Sequence, residues 1–89
     1  MAVRTNTGSD YVAAVQAEIL AYMGRRRMSQ IELARRCDVG QNAMSRWLNG
    51  DRLDLQALTL MAEALDVPVS RILADAEQNV ADLVNASSR

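Results

Sequence analysis

Histidine is absent from this chain of 89 residues, and cysteine occurs only once. The lack of histidine excludes His-based acid–base catalysis, Ser–His and Cys–His nucleophile pairs, and zinc sites that use histidine. The single cysteine, Cys37, excludes an intrachain disulfide and a four-cysteine metal cluster. The carboxylates are scattered, with no third group to orient a pair of them. We therefore predict no enzyme, no metal or cofactor site and no small-molecule ligand.

Long apolar runs are also missing, since none exceeds five residues, the longest being 11–15 and 19–23. Such runs are too short to span a bilayer, and residues 1–10 hold no apolar stretch typical of a signal peptide. A lone cysteine suits a reducing compartment. These features predict a cytoplasmic protein without membrane contact.

Aromatic residues make up 3% of the chain, with no phenylalanine, although 49% of all residues are apolar. The core must therefore be built from Leu, Val, Ile, Met and Ala, which favours helices. No segment alternates apolar and polar residues in the way a strand does. The sequence predicts an all-α fold.

Cap and break signals divide the chain into five predicted helices. The first is expected over 10–24, capped by Ser9 or Asp10 and ended by Gly24. The second, over 30–37, has Ser29 as its N-cap, with Glu32 in a capping-box pattern. The remaining three are expected over 41–48 after Gly40, 55–65 after Asp54 and 69–86 after Pro68. In the last two helices, Leu55 and Leu73 are among the residues expected to face the core. The predicted organisation is a flexible arm (1–9), a compact domain (10–76) and an extension of the last helix (77–89).

Charge is distributed unevenly along the chain. Residues 1–52 carry eight arginines and five acidic residues, a net charge of +3, whereas residues 53–89 carry two arginines and six acidic residues, a net charge of −4. Because a binding field is local, the basic half favours an anionic partner more than the total charge of −1 indicates. Ordinary solvated helix faces explain the same charges equally well.

The second and third predicted helices are short and joined by a three-residue turn, which is the arrangement of a helix-turn-helix. Apolar residues such as Leu33, Ala34 and Met44 lie where they would hold the two helices together. The outward positions of the third helix are all polar and include no acid: Gln41, Asn42, Ser45, Arg46 and Asn49. Side chains of this kind match base edges and phosphates, so we predict base contacts from Gln41, Asn42, Ser45 and Arg46. Arg52, just beyond, is a predicted phosphate contact.

Residues 28–73 resemble the phage lambda repressor/Cro-type (XRE-like) helix-turn-helix domain of phage and bacterial regulators. The likeness is greatest from Val39 to Gly50. It implies a five-helix lambda repressor-like domain with the helix-turn-helix at helices 2 and 3. It further implies that Gln41 reads an adenine, that Gln30 contacts a phosphate and also buttresses Gln41, and that Asn49 binds phosphate.

The chain departs from the commoner pattern of that family at four places. Asp38 replaces the usual glycine of the turn, Gly40 replaces the commoner serine at the helix cap, and Leu48 stands where many relatives carry Glu. The N-terminal arm holds only Arg4, so it lacks the basic residues of an arm that embraces DNA.

The last helix carries apolar residues beyond the reach of a small core: Val80, Leu83 and Val84. An exposed apolar stripe usually finds a partner, so these residues are a predicted homodimer interface. Packing back onto the first helix is the alternative. The acidic residues of this helix would repel phosphate, so we expect it to set assembly rather than to touch DNA.

Together these features predict a sequence-specific regulator of transcription, a phage Cro- or repressor-like protein that binds double-stranded DNA as a dimer on a near-palindromic operator. Two other functions fit the same sequence. An antitoxin would use its acidic tail to bind a basic toxin. A helical adaptor would keep the fold without binding DNA, although it would have no need of the acid-free face on the third helix.

Overall fold

The computed structural model of the chain describes residues 7–50 and 53–87, and within them the side chains of 10–50, 53–82 and 85. This part of the chain contains five helices and no strand: α1 (Thr7–Arg25), α2 (Gln30–Cys37), α3 (Gln41–Asn49), α4 (Leu55–Leu65) and α5 (Val69–Ser87). The predicted all-α fold of five helices is confirmed. Over the same residues, no helix is both long enough and apolar enough to cross a membrane.

The two 19-residue helices, α1 and α5, pack side by side in opposite directions. Tyr22 Oη of α1 donates to Asp75 Oδ2 of α5 at 3.2 Å. Glu18, four residues before Tyr22 on α1, accepts at Oε2 from Asn79 Nδ2 of α5 at 2.6 Å. The same pairing buries Val80, which is 4% exposed within one chain. The expectation that Val80 belongs to an uncovered stripe is wrong, because this part of α5 is covered by the chain itself.

One apolar core joins all five helices. The largest side chains without measurable exposure come from every helix: Ile19, Leu33, Met44, Met61, Leu65 and Ile72. Cys37 is also in the core at 7% exposure, and its burial raises the pKa of the thiol above the ordinary value. This cysteine packs as a small apolar residue, as expected for a buried thiol.

Two of the predicted N-caps are formed by side chains. Ser29 Oγ accepts from the Glu32 amide at 3.1 Å, and Asp54 Oδ1 accepts from the Ala57 amide at 2.8 Å. The capping box at α2 is only half made, because the Glu32 carboxylate accepts from Arg35 and Arg36. The caps start α2 and α4 where the sequence predicts.

The bounds of α1 differ from the prediction at both ends. The helix begins at Thr7, ahead of the expected caps at Ser9 and Asp10, and it continues through Gly24. The turn that follows places Arg27 in the left-handed region with φ 53°, and the Met28 amide then donates to Met23 O at 2.9 Å. The half-buried Met28 packs against the core and holds this turn, so the helix ends without glycine.

Leu55 and Leu73 are not in the core, contrary to the prediction. Leu55 is 69% exposed and Leu73 is 40% exposed. Both line a shallow groove of about 210 Å³ where α1, α4 and α5 meet, together with Tyr11 and Val12. Leu55 is the first residue of α4, so it projects past the end of the core that Ala57 and Leu58 help to fill.

Candidate nucleic-acid interface

The turn between α2 and α3 has three residues, each with a distinct conformational task. Asp38 adopts the left-handed region with φ 59°, and the following Val39 amide donates to Ala34 O at 3.0 Å. Aspartate tolerates this conformation better than most residues, so it replaces glycine here at modest cost. Val39 packs against the core, and Gly40 is the N-cap of α3, with an extended backbone at φ −75°. The turn thereby fixes the direction in which α3 leaves α2.

Helix α3 has one apolar face and one polar face. Met44 and Leu48 are buried, and the half-buried Trp47 packs beside them. The opposite side carries the exposed residues Gln41, Asn42, Ser45, Arg46 and Asn49. At about 100° per residue, these five positions span an arc of about 140° and a length of about 12 Å. Amide, hydroxyl and guanidinium groups therefore form one continuous exposed strip.

The positive charge of Arg46 has no carboxylate against it among the described residues, unlike the charges of the two arginines on α2. Arg35 Nη1 and Arg36 Nε both bind the Glu32 carboxylate, at 2.7 and 2.9 Å. The hydrogen bond from Arg36, together with the charges of both arginines, holds the pKa of the Glu32 carboxyl below its ordinary value. Glu32 thus offsets part of the charge on α2, whereas the strip on α3 keeps a net positive charge.

Gln30 lies half-buried at the first position of α2. No hydrogen bond joins it to Gln41 in the part of the chain that the structure describes, so the buttress implied by the resemblance is not formed there. Arg52 lies outside the described residues, as do the side chains of Leu83 and Val84.

Gln16 is a residue of this site that sequence reasoning missed. It lies on α1 and is 9% exposed. Its Nε2 donates to Trp47 O at 2.9 Å and to Gly50 O at 2.8 Å, both at the end of α3. Helical spacing gives a signal for this residue in the sequence, because residue 16 precedes Ile19 by three and Met23 by seven and so lies on the same buried face of α1. A polar residue on such a stripe indicates a partner inside the fold.

Among the described residues, no group of three or more His, Cys, Asp or Glu side chains could hold a metal ion. Comparison with curated proteins found no match, and comparison with solved structures found none either.

A helix-turn-helix family model matches residues 19–72, which is more than half of the chain. The match includes the last part of α1 and all of α2, α3 and α4. It therefore covers the helix pair, the turn and the polar strip described above. The chain belongs to the Cro/C1-type helix-turn-helix family, with its lambda repressor-like fold, and is a DNA-binding regulator of transcription.

Proposed function

We propose that this regulator reads a specific sequence in double-stranded DNA by laying α3 in the major groove. Gln41, Asn42, Ser45 and Arg46 are the base-contacting residues of this proposal. Such a residue set supplies both donors and acceptors, as the edges of the bases require. The protein acts in the cytoplasm as a phage Cro- or repressor-like protein, and its occupancy of an operator blocks polymerase or a competing regulator.

The observation that carries this proposal is the exposed face of α3, which holds five polar residues and no acid. A helix face selected only for solvation usually mixes acidic and basic residues. Carboxylates on this face would be repelled by phosphates, and their absence favours an anionic partner. A helical adaptor would have no reason to keep such a face free of acid.

Phosphate contacts hold the protein in register on the duplex without reading sequence. We assign this role to Gln30, Asn49 and Arg52. Asn49 is exposed at the last position of α3, and Gln30 is at the first position of α2. Contacts from these two helix ends would bracket the strip that reads the bases.

A homodimer on a near-palindromic site completes the proposal. Two helix-turn-helix units present their recognition helices about 34–36 Å apart, one turn of DNA. The proposed interface is the end of α5, with Leu83 and Val84, and no longer includes Val80, which a single chain already buries.

Selection of bound duplexes from a random pool, at a stated salt concentration, tests the proposal. We expect enrichment of a site made of two inverted half-sites. Enrichment of one half-site would contradict the dimer. Recovery of an unbiased pool would contradict sequence reading and favour the adaptor.

Replacing Gln41 by alanine tests base reading directly. Gln41→Ala is expected to weaken binding to the selected site by roughly 1–3 kcal/mol and to relax the preference at one position of that site. Gln78→Ala, which removes an exposed glutamine from α5, is the matched control and should change neither the affinity nor the base preference. An unchanged affinity and site preference in Gln41→Ala would remove this residue from the reading set.

A further inference from the structure

The C-terminal end of α3 is held by a side chain from another helix. Gln16 of α1 donates both hydrogens of its amide, one to Trp47 O at 2.9 Å and one to Gly50 O at 2.8 Å. The acceptors lie 31 and 34 residues further along the chain. Asn49 lies between these two acceptors in the sequence, so one buried amide bonds the backbone on both sides of the residue to which we assign a phosphate contact.

Carbonyls in the last turn of a helix have no amide partner within that helix. Many helices solve this with a left-handed residue after the last turn, and α2 and α4 both do so at Asp38 and Asp66. Helix α3 ends differently, because Gly50 is extended with φ −102° and donates only to Arg46 O. Gln16 supplies the donor to Trp47 O, whose equivalent in α2, Arg35 O, accepts from the backbone amide of the left-handed Asp38.

The opposite end of α3 is held less firmly by side chains. Its N-cap is Gly40, which has no side chain to bond an amide of the first turn. Within the described residues, the hydrogen bonds from Gln16 are the side-chain bonds that join α3 to another helix. The start of α3 is fixed by the turn from α2, whereas the position of its C-terminal end depends on core packing and on this one amide.

We propose that Gln16 is a positioning residue of the DNA interface, which acts through Asn49 and the end of α3 without touching DNA itself. By fixing the backbone on both sides of Asn49, it holds that side chain where a phosphate would lie while the strip on α3 faces the bases. This inference rests on the proposed function, because it assumes that the exposed face of α3 meets DNA.

Gln16→Met is the first test, since methionine has a similar length and no donor. We expect affinity for the selected site to fall about tenfold at a temperature where circular dichroism shows the variant fully folded. The fluorescence of Trp47, the one tryptophan of the chain, should change because its backbone is released. Ile72→Val is the control, since it disturbs the core on α5 and should lower stability while leaving affinity and fluorescence unchanged.

A double-mutant cycle separates positioning from a general loss of stability. Gln16→Met and Asn49→Ala should be coupled by at least about twofold in affinity, because both act at the same end of α3. The effects of Gln16→Met and Gln41→Ala on affinity should add nearly independently, since residue 41 lies about 12 Å from Asn49 along α3. Full affinity in a folded Gln16→Met, or equal coupling at both ends, would overturn the inference.

Two further outcomes keep the test decisive. If Gln16→Met does not fold, Gln16→Asn, whose amide is one methylene too short, is carried through the same measurements. Unfolding of both variants, with Ile72→Val still folded, would overturn a role specific to the interface. If Gln41→Ala and Asn49→Ala also leave affinity unchanged, the proposed function itself fails, which is distinguishable from a failure confined to Gln16.

Discussion

Two glutamines show how the same side chain takes opposite roles at the residue scale. Gln16 is buried and both hydrogens of its amide are used inside the fold, whereas Gln41 is exposed with its amide directed to no partner among the described residues. A buried amide without partners would cost about 1–3 kcal/mol, so Gln16 is committed to structure. An exposed amide carries no such cost, so Gln41 is available to a base edge.

Phosphate anchoring is expected to differ from base reading when single residues are changed. Asn49→Ala and Arg52→Ala should weaken binding to the selected site and to random DNA alike, because phosphates are the same in both. Arg52→Ala should also reduce the slope of log affinity against log salt by about one unit, since one fewer counterion is released. Titrations at several salt concentrations measure both effects. A changed base preference with intact affinity for random DNA would assign either residue to base reading instead.

At the scale of elements, the C-terminal ends of α1, α2 and α4 have the same backbone arrangement, and none of them uses glycine for it. Arg27, Asp38 and Asp66 are left-handed, and each is followed by an apolar residue whose amide bonds back to the helix. Those apolar residues, Met28, Val39 and Val67, pack against the core or lie within it. Core packing thus compensates a backbone conformation that costs about 1–2 kcal/mol in a residue with a Cβ.

The end of α3 is where glycine is required, for a different reason. A Cβ on Gly50 would lie 2.9 Å from Arg46 O, a backbone atom, whereas a Cβ on Gly24 would meet nothing within 4 Å. Gly50→Ala is expected to lower the free energy of unfolding by about 1–3 kcal/mol through steric strain. Gly24→Ala, inside α1, should raise it by roughly 0.5–1 kcal/mol because alanine is the better helix former.

Urea denaturation followed by circular dichroism measures both changes. The same variants carry a functional readout, since Gly50→Ala shifts the backbone beside Asn49 and should also weaken DNA binding. A Gly50→Ala variant as stable as the parent chain would show that the end of α3 relaxes without cost.

At the scale of the whole molecule, the packed pair of α1 and α5 forms a scaffold, and the helix-turn-helix of α2 and α3 lies beside it. The pair is tied together by the bonds of Asp75 and Asn79 to α1, and by the burial of Val80. The apolar stripe of α5 is thus used within one chain as far as residue 80. The dimer prediction depends on the next turn of the helix, where Leu83 and Val84 continue the stripe in the sequence.

Leu83→Asp tests how the molecule assembles. We expect a folded monomer that binds a half-site weakly, because an unpaired carboxylate in the interface opposes association. Sedimentation and helix content by circular dichroism decide the outcome, and Ala81→Asp, at an exposed position of the same helix, is the control. A variant that stays dimeric would place the interface elsewhere. Loss of helix would assign Leu83 to the packing of α5 on α1.

Local signals in the sequence determined most of the fold and the residues of the polar strip on α3. The caps at Ser29 and Asp54 and the break at Asp38 depend on neighbours within four residues, so spacing alone predicts them. The polar face of α3 follows in the same way from helical periodicity.

Only the tertiary structure decided which predicted faces are covered. The bonds from Gln16 to the end of α3 and the burial of Val80 depend on what another part of the chain places opposite them, and the exposure of Leu55 depends on where the core ends. Such contacts join residues more than 30 positions apart, as Gln16 and Trp47 show. No local pattern encodes them, because helical periodicity gives the direction of a side chain but not what lies opposite it.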